Sequence, residues 1–314
     1  MPRIVELRES SGTRRLRWCS ARQNQCQAVG LVLAIVLLIA GCASIPTGRF
    51  DALATVAKEV DTKTSATDAD IVQLTRRFMV FSPAPGPYTA NSFVPTIEID
   101  GMKHDFDFGP RLEPRRAALD VLAAYTEALA AFAKKDYQGD LDNATQSLAG
   151  SVERLVSHTS ASAEAKQGAG ILATAVNGLG RAIVEHKRKA ALRDAMDTAS
   201  PGIRAIASFV KEINASAALA VGVMRSAMIS RSNRLTVSDG AARLALNERV
   251  EGVVVESRAI GAHLKQVSAT VDAIPPAHDE IRRALDRDDR APLDKLKALI
   301  AEVKRLGAFH SSLE

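Results

Sequence analysis

Residues 246–274 read LNERVEGVVVESRAIGAHLKQVSATVDAI, and a row of mostly apolar side chains recurs in this stretch at alternating spacings of four and three. The members of the row are Leu246, Val250, Val253, Ser257, Ile260, Leu264, Val267, Val271 and Ile274. A sustained four-three repeat predicts an α-helix that buries one row in coiled-coil-like packing. Ser257 is the polar member of the row, and we expect its hydroxyl to donate to a carbonyl one turn earlier.

Two preceding segments carry the same rhythm. Their rows are Leu172, Val176, Leu179 and Ile183, followed by Ile206, Val210, Ile213, Ala217, Ala220, Met224 and Ala227. The three segments predict long helices over residues 163–198, 201–235 and 240–274. Ser200-Pro201 is typical of a helix start, and Pro275-Pro276 is typical of a helix end. Short connections between such helices predict antiparallel neighbours.

Shorter segments with helical spacing flank these three. They are Phe50–Val60, Asp70–Phe81 with Thr67 as its N-cap, a helix with Pro114 in its first turn and the row Leu122, Tyr125, Leu129 and Phe132, then Leu141–Leu155, and Leu293–Phe309. Apolar residues make up 46% of the chain and aromatic residues only 4%, which favours packed helices over a β-sandwich. The sequence therefore predicts an all-α fold, an elongated antiparallel helical bundle with coiled-coil-like seams, formed by residues 50–314 as a single domain.

Residues 82–112 interrupt the helical pattern with an irregular insert rich in proline. Apolar and polar residues alternate there on both sides of Asp100-Gly101, which predicts a small β-hairpin near 96–108. Half of the twelve aromatic residues of the body fall in or beside this insert: Phe78, Phe81, Tyr88, Phe93, Phe106 and Phe108. This aromatic cluster is a candidate interaction surface. Alternatively, it packs the insert onto the end of the bundle as a small core of its own.

The N-terminal 45 residues are typical of an export signal. An arginine-rich segment precedes an uninterrupted apolar run from Ala28 to Ala40, and small residues follow the run. A positive segment, a short apolar core and small residues at its end define a secretory signal peptide. The run is too short for a comfortable membrane span.

Ile39-Ala40-Gly41-Cys42 resembles the lipobox of bacterial lipoproteins, whereas no family is identified for the body. The resemblance implies that residues 1–41 are a signal peptide cleaved between Gly41 and Cys42. It also implies that acyl chains such as palmitate attach to Cys42, and that residues 42–49 are a lipidated tether. Each buried methylene contributes ~0.8 kcal/mol, so several chains hold a protein on a bilayer almost permanently.

Ala43 follows the cysteine, and an Asp at this position would resemble an inner-membrane retention signal. The resemblance therefore implies a bacterial envelope protein on the outer membrane, facing the periplasm, rather than on the inner membrane. The alternative is an uncleaved signal anchor.

Charge and cysteine content exclude several function classes. Residues 1–42 carry six arginines and two glutamates, which leaves 35 basic and 34 acidic side chains for residues 43–314. A nucleic-acid partner would need a basic excess that the body lacks, so none is expected. Cys19 and Cys26 leave with the signal peptide and Cys42 is acylated, so no disulfide, zinc thiolate site or catalytic cysteine is expected.

The chain shows no motif for catalysis or for a cofactor. Each of the six histidines lies in a different segment, and no two have the i, i+4 spacing of a helical metal site. We therefore predict no metal, no cofactor and no catalytic residue. The expected function is a lipid-anchored, non-enzymatic scaffold or adaptor for an envelope protein partner. The alternatives are a module that binds a lipid or small apolar ligand between Ala/Gly-lined helices, and a hydrolase of envelope material.

Overall fold

The computed structural model describes residues 45–80, 96–99, 102–105, 108–134, 136–180, 187–287 and 293–311. Residues Ile45–Glu314 form one compact unit. Met1–Ser44, with the predicted signal peptide and lipobox, lies outside the described residues. The described part of the chain is almost entirely helical, so the predicted all-α class is confirmed.

Seven helices occur in the described residues. They are α1 (Thr47–Val80), α2 (Gly109–Ala133), α3 (Gln138–Ser157), α4 (Ala163–Leu179), α5 (Arg188–Arg234), α6 (Gly240–Arg287) and α7 (Asp294–Ser311). Two short strands, β1 (Thr96–Ile99) and β2 (Met102–Asp105), lie between α1 and α2 and pair antiparallel, with Ile97 opposite His104. Both strands fall within the range for which the sequence predicts a hairpin, and the residues that join them lie outside the described residues.

The two longest helices, α5 and α6, run antiparallel to each other, and ion pairs across them mark the register. Arg193 pairs with Asp286 at 3.7 Å, Asp197 with Arg282 at 2.6 Å, Arg204 with Asp279 at 2.6 Å and Lys211 with Asp272 at 2.7 Å. In these four pairs the residue number increases along α5 while that of the partner decreases along α6, as antiparallel helices require. The last two pairs are one heptad apart, as expected of charged pairs that flank a coiled-coil seam.

Two apolar cores lie along these helices. The main core takes residues from α1 between Phe50 and Val60, from α2, α3, α4 and α7, from the first half of α5 and from the second half of α6. The distal core joins the end of α1 and the start of α2 to the second half of α5 and the first half of α6. Its members are Ile71, Leu74, Phe78, Phe108, Leu112, Ala217, Val221, Met224, Met228, Val253, Ile260 and Leu264. Both cores are built from residues of the compact unit alone.

The four-three rows predict burial well. In α6 the row is buried from Val253 to Ile274, whereas Leu246 and Val250 are only half-buried. Ser257 Oγ donates to the carbonyl of Val253 at 2.6 Å, which confirms the expected bond to the preceding turn. By length and composition α5 could also cross a membrane, but the buried core helix of an ordinary globular domain passes the same test.

The two N-terminal helices expected from the sequence are one continuous helix, α1. Thr67 was expected to cap the second of them, but it lies inside α1, buried, and its Oγ1 donates to the carbonyl of Lys63 at 3.0 Å. Threonine in a helix can bond back to the preceding turn, and this bond competes with its role as a cap. Helix α1 also begins at Thr47, so it takes up three residues of the tether predicted over 42–49.

Three helix boundaries predicted from prolines are wrong. Ser200-Pro201 lies inside α5, Pro275-Pro276 lies inside α6, and Pro114 is the sixth residue of α2 rather than part of its first turn. Proline removes one hydrogen bond of a helix and crowds the preceding turn. At Pro201 and Pro275-Pro276 the prediction fails because apolar side chains beside the prolines are buried in the main core, and their burial offsets the lost bonds. The helix predicted over 163–198 likewise ends earlier, at Leu179.

Candidate functional site

The predicted lipid-attachment and cleavage residues, Gly41 and Cys42, lie outside the described residues. The same holds for four members of the aromatic cluster: Phe81, Tyr88, Phe93 and Phe106. The other two, Phe78 and Phe108, are 1% and 5% exposed and belong to the distal core. These two side chains therefore contribute packing rather than exposed surface. The guanidinium of Arg231 lies 5.4 Å from the centre of the Phe78 ring and covers the distal core at this edge.

A buried polar network lies between the two cores. Asp68 of α1 is fully buried, forms an ion pair with Arg115 of α2, and accepts from Arg116 Nε at 2.5 Å. Arg115 also donates to the side-chain carbonyl of Asn214 on α5, and Asn214 Nδ2 donates to Ser268 Oγ on α6 at 3.1 Å. The network links four helices. Because the charges of Asp68 and Arg115 are paired and closed off from solvent, the network acts as a structural tie rather than as a reactive site.

A second buried cluster surrounds His278 on α6. The Tyr125 hydroxyl lies 2.9 Å from His278 Nε2, and both side chains are buried. Burial lowers the pKa of His278 and raises the pKa of Tyr125 well above its usual range. Both groups are therefore neutral near pH 7, and they share one hydrogen bond through Nε2 of the imidazole. His278 Nδ1 then faces Asp279 at 3.6 Å.

Ser200 completes a set of residue types that resembles a hydrolase triad, but its bond goes to the wrong partner. Ser200 Oγ donates to Asp279 Oδ1 at 2.9 Å, and Arg204 donates to Asp279 Oδ2 at 2.6 Å. His278, Ser200 and Arg204 hold the pKa of Asp279 well below its usual range. A nucleophilic serine needs its proton directed at the imidazole. In this cluster the carboxylate of Asp279 accepts the hydrogen bond from Ser200, and Tyr125 occupies Nε2 of the imidazole.

Two carboxyl groups meet where α1 contacts α2. Burial and the neighbouring carboxyl of Asp120 raise the pKa of Asp61 from 3.8 to about 6, against the opposing effect of Arg116 and Arg154. Arg154 of α3 also pairs with Asp120 at 2.9 Å. The raised pKa makes the charge of Asp61 sensitive to pH. Among the described residues, no group of three His, Cys, Asp or Glu side chains is arranged to hold a metal ion.

Surface grooves of the described residues include two with room for a small molecule. One, of about 870 Å³, lies between α4 and α5 and is lined by small side chains with Lys187 and Asp194 among them. The other, of about 500 Å³, lies between α1, α2 and α3 and is lined by Lys58, Glu127 and Lys134 with alanines and hydroxyls. Ligand sites commonly have volumes in this range.

Neither buried network was predicted from the sequence, although a signal was present. His278 continues the four-three row of α6 four residues beyond Ile274, and Asp68 sits in the row of α1 between Val60 and Ile71. A polar residue at a buried row position has to find a partner inside the protein. The predicted helices end at Pro275 and before Thr67. The predicted rows therefore do not reach His278 and Asp68.

No protein-family model, no curated protein and no solved structure matches the chain.

Proposed function

We propose that the protein is a lipid-anchored, non-enzymatic scaffold of the bacterial envelope, held through acyl chains on Cys42. The observation that carries the proposal is Ile39-Ala40-Gly41-Cys42 at the end of an apolar run, directly before the compact unit that begins at Ile45. Because α1 starts at Thr47, four residues separate the helix from the acylated cysteine, which makes five Cα–Cα steps. Such a tether spans no more than about 18 Å, so it would hold the N-terminal end of α1 close to the membrane.

The buried networks support a scaffold rather than an enzyme. The ion pair of Asp68 and Arg115 and the contact of Tyr125 with His278 lie inside the protein, where they fix helix against helix. The proposal extends to an elongated antiparallel bundle with the hairpin near 96–108 at the partner-binding end, where Tyr88, Phe93 and Phe106 contact the partner. The partner is an envelope protein, on the periplasmic face of the outer membrane.

Replacing Cys42 tests the anchor. In the Cys42→Ser variant we expect no incorporation of labelled palmitate and an uncleaved precursor in a bacterial host. Cys26→Ser is the matched control, since it removes another cysteine of the same leader and should be labelled and cleaved like the wild type. Labelling of Cys42→Ser, or loss of labelling in both variants, would contradict the anchor.

Crosslinking in cells tests the scaffold. A photoreactive residue at Tyr88 or Phe93 should capture a defined envelope protein. One at Val156, an exposed apolar residue of α3 outside the insert, should not. Identical products at all three positions, or none at Tyr88 and Phe93, would contradict a partner-binding role for the insert.

The groove between α4 and α5 favours a second function, the binding of a small apolar ligand. Its volume of about 870 Å³ and its lining of Ala175, Gly178, Ala191 and Ala195 match an Ala/Gly-lined site. A fluorescent fatty acid should bind the wild type and bind much more weakly to Ala191→Trp, which fills the groove. Ala301→Trp, at an exposed site on α7, is the control. Equal binding by both variants would exclude this groove.

A further inference from the structure

Among the described residues, the far end of the hairpin formed by α5 and α6 has no complete covering layer. None of the first thirteen residues of α6, 240–252, is buried. Leu246 and Val250 belong to the apolar row, yet they are only half-buried, whereas the row is buried from Val253 onward. We call residues 225–249 the distal tip. It comprises the last ten residues of α5, the connection 235–239 and the first ten residues of α6.

Large apolar side chains are exposed at and beside this tip. Among the described residues six such side chains are exposed, and five of them lie between positions 219 and 255: Leu219, Ile229, Leu235, Leu244 and Val255. Leu244 is 60% exposed and Leu219 is 72% exposed. Single exposed leucines need no explanation, but a concentration of them marks an interaction surface.

The distal tip also carries an excess of positive charge. It carries five arginines, no lysine and two acidic residues, and the rest of residues 43–314 then has two more acidic than basic side chains. The arginines are Arg225, Arg231, Arg234, Arg243 and Arg249. Two of them also serve the fold, because Arg231 covers Phe78 and Arg243 donates to the carbonyl of Leu235 at 3.0 Å. Arg234 and Arg249 are exposed.

We propose that the distal tip binds the surface of an anionic lipid bilayer. Guanidinium groups form bidentate hydrogen bonds with phosphate oxygens, and interspersed aliphatic side chains such as Leu235 and Leu244 can insert between the headgroups. A second copy of the chain is a poor occupant, since two tips that each carry a charge of +3 repel each other. The proposal goes beyond the lipid anchor, because it requires neither Cys42 nor its acyl chains.

A single tryptophan at the tip reports binding directly. The only tryptophan of the chain is Trp18, so the compact unit, residues 45–314, has none. This unit contains all residues of both cores. The circular dichroism spectrum of each variant is compared with that of the wild type to check the fold. With vesicles of equimolar phosphatidylglycerol and phosphatidylcholine, Leu244→Trp fluorescence should shift to the blue, and with pure phosphatidylcholine it should not. Val156→Trp, an exposed apolar site on α3, is the matched control and should not shift with either vesicle.

Charge variants separate binding at the tip from general attraction. In the Leu244→Trp background, replacing Arg234 and Arg249 by glutamine should weaken vesicle binding about fivefold per arginine. Replacing Lys297 and Lys304 of α7, two exposed cations far along the sequence, changes the charge equally and should leave binding within twofold. Raising the salt concentration should weaken binding.

Three outcomes would overturn the proposal. The first is no blue shift of Leu244→Trp with anionic vesicles. The second is an equal loss of binding in the α7 control. The third is an Arg234-dependent and Arg249-dependent association with an acidic protein in the absence of any vesicle binding, which would assign the tip to a protein partner.

Discussion

Two glycines face each other where α4 contacts α5. A Cβ atom added at Gly202 would lie 2.7 Å from the backbone carbonyl oxygen of Gly168, and one added at Gly168 would lie 3.0 Å from the carbonyl oxygen of Gly202. Backbone atoms cannot yield to such a contact without shifting a helix. We therefore expect Gly202→Ala to lower the free energy of unfolding by about 1–3 kcal/mol, measured by urea denaturation.

Gly222→Ala is the matched control for this substitution. Gly222 also lies in α5, and a Cβ atom there would meet nothing within 4 Å. Alanine is the better helix former, so this variant should be more stable by about 0.5–1 kcal/mol. Stability of Gly202→Ala equal to that of Gly222→Ala would show that the two helices do not approach closely at Gly168.

Asp61 gives the protein a dependence of stability on pH. Burial and Asp120 raise its pKa in the folded protein from 3.8 to about 6, so the folded state binds the proton more tightly than the unfolded state. The contribution of Asp61 to stability is therefore fully present below pH 3.8 and is lost as the pH rises to about 6. Asp61→Asn should match the wild type at the acidic end of this window. It should be more stable by about 1 kcal/mol near neutral pH, after allowance for solvent screening.

Urea denaturation of both proteins across this window measures the difference. Asp51→Asn, which removes an exposed carboxylate from the same helix, is the control, and its stability should stay within about 0.5 kcal/mol of the wild type. A stability difference between Asp61→Asn and the wild type that does not change with pH would mean that Asp61 ionises normally in the folded protein.

At the scale of the helices, the spacing of apolar residues predicts which faces are buried but not where helices end. The row of α6 predicts the burial of Ile260, Leu264 and Val267, because each depends only on its position along one helix. The end predicted at Pro275-Pro276 is wrong, because burial of Ile274 and Ala277 by neighbouring helices outweighs a local preference.

The partners of the buried polar groups were beyond prediction for a different reason. Tyr125 and His278 are 153 positions apart, and their contact depends on the relative register of α2 and α6. The spacing within a single helix does not contain that register. The row position of His278 could have predicted its burial, but not the identity of its partner.

Helix α6 should gain stability when its exposed proline is removed. Pro276 cannot donate to the carbonyl of Asp272, and its side chain is exposed. Alanine restores that bond, so Pro276→Ala should raise the free energy of unfolding by about 2–3 kcal/mol, read from urea denaturation. Ala262→Pro, at an exposed site in the same helix, is the converse substitution and should destabilise the protein by about 3 kcal/mol or more. A loss of stability in Pro276→Ala would show that the proline is needed for the helix path.

At the scale of the whole compact unit, the two cores differ in how much of the structure surrounds them. The main core draws on all seven helices of the described residues, whereas the distal core draws on α1, α2, α5 and α6. The polar network of Asp68, Arg115, Asn214 and Ser268 lies between them. Regions with fewer buried apolar contacts open at a lower free energy. We therefore expect the helical segments around the distal core to exchange their amide hydrogens before those around the main core.

Hydrogen exchange followed by mass spectrometry tests this order. Amides of residues 240–252 should exchange fastest among the helical segments, those around the distal core next, and those of α2 and α4 last. Met224→Ala, in the distal core, should accelerate exchange in the second half of α5 and the first half of α6 and leave α2 and α4 unchanged. Ile206→Ala, a similar truncation in the main core, should accelerate exchange in every helix. Equal acceleration throughout the protein by Met224→Ala would mean that the two cores unfold as one unit, with the polar network transmitting the loss across their boundary.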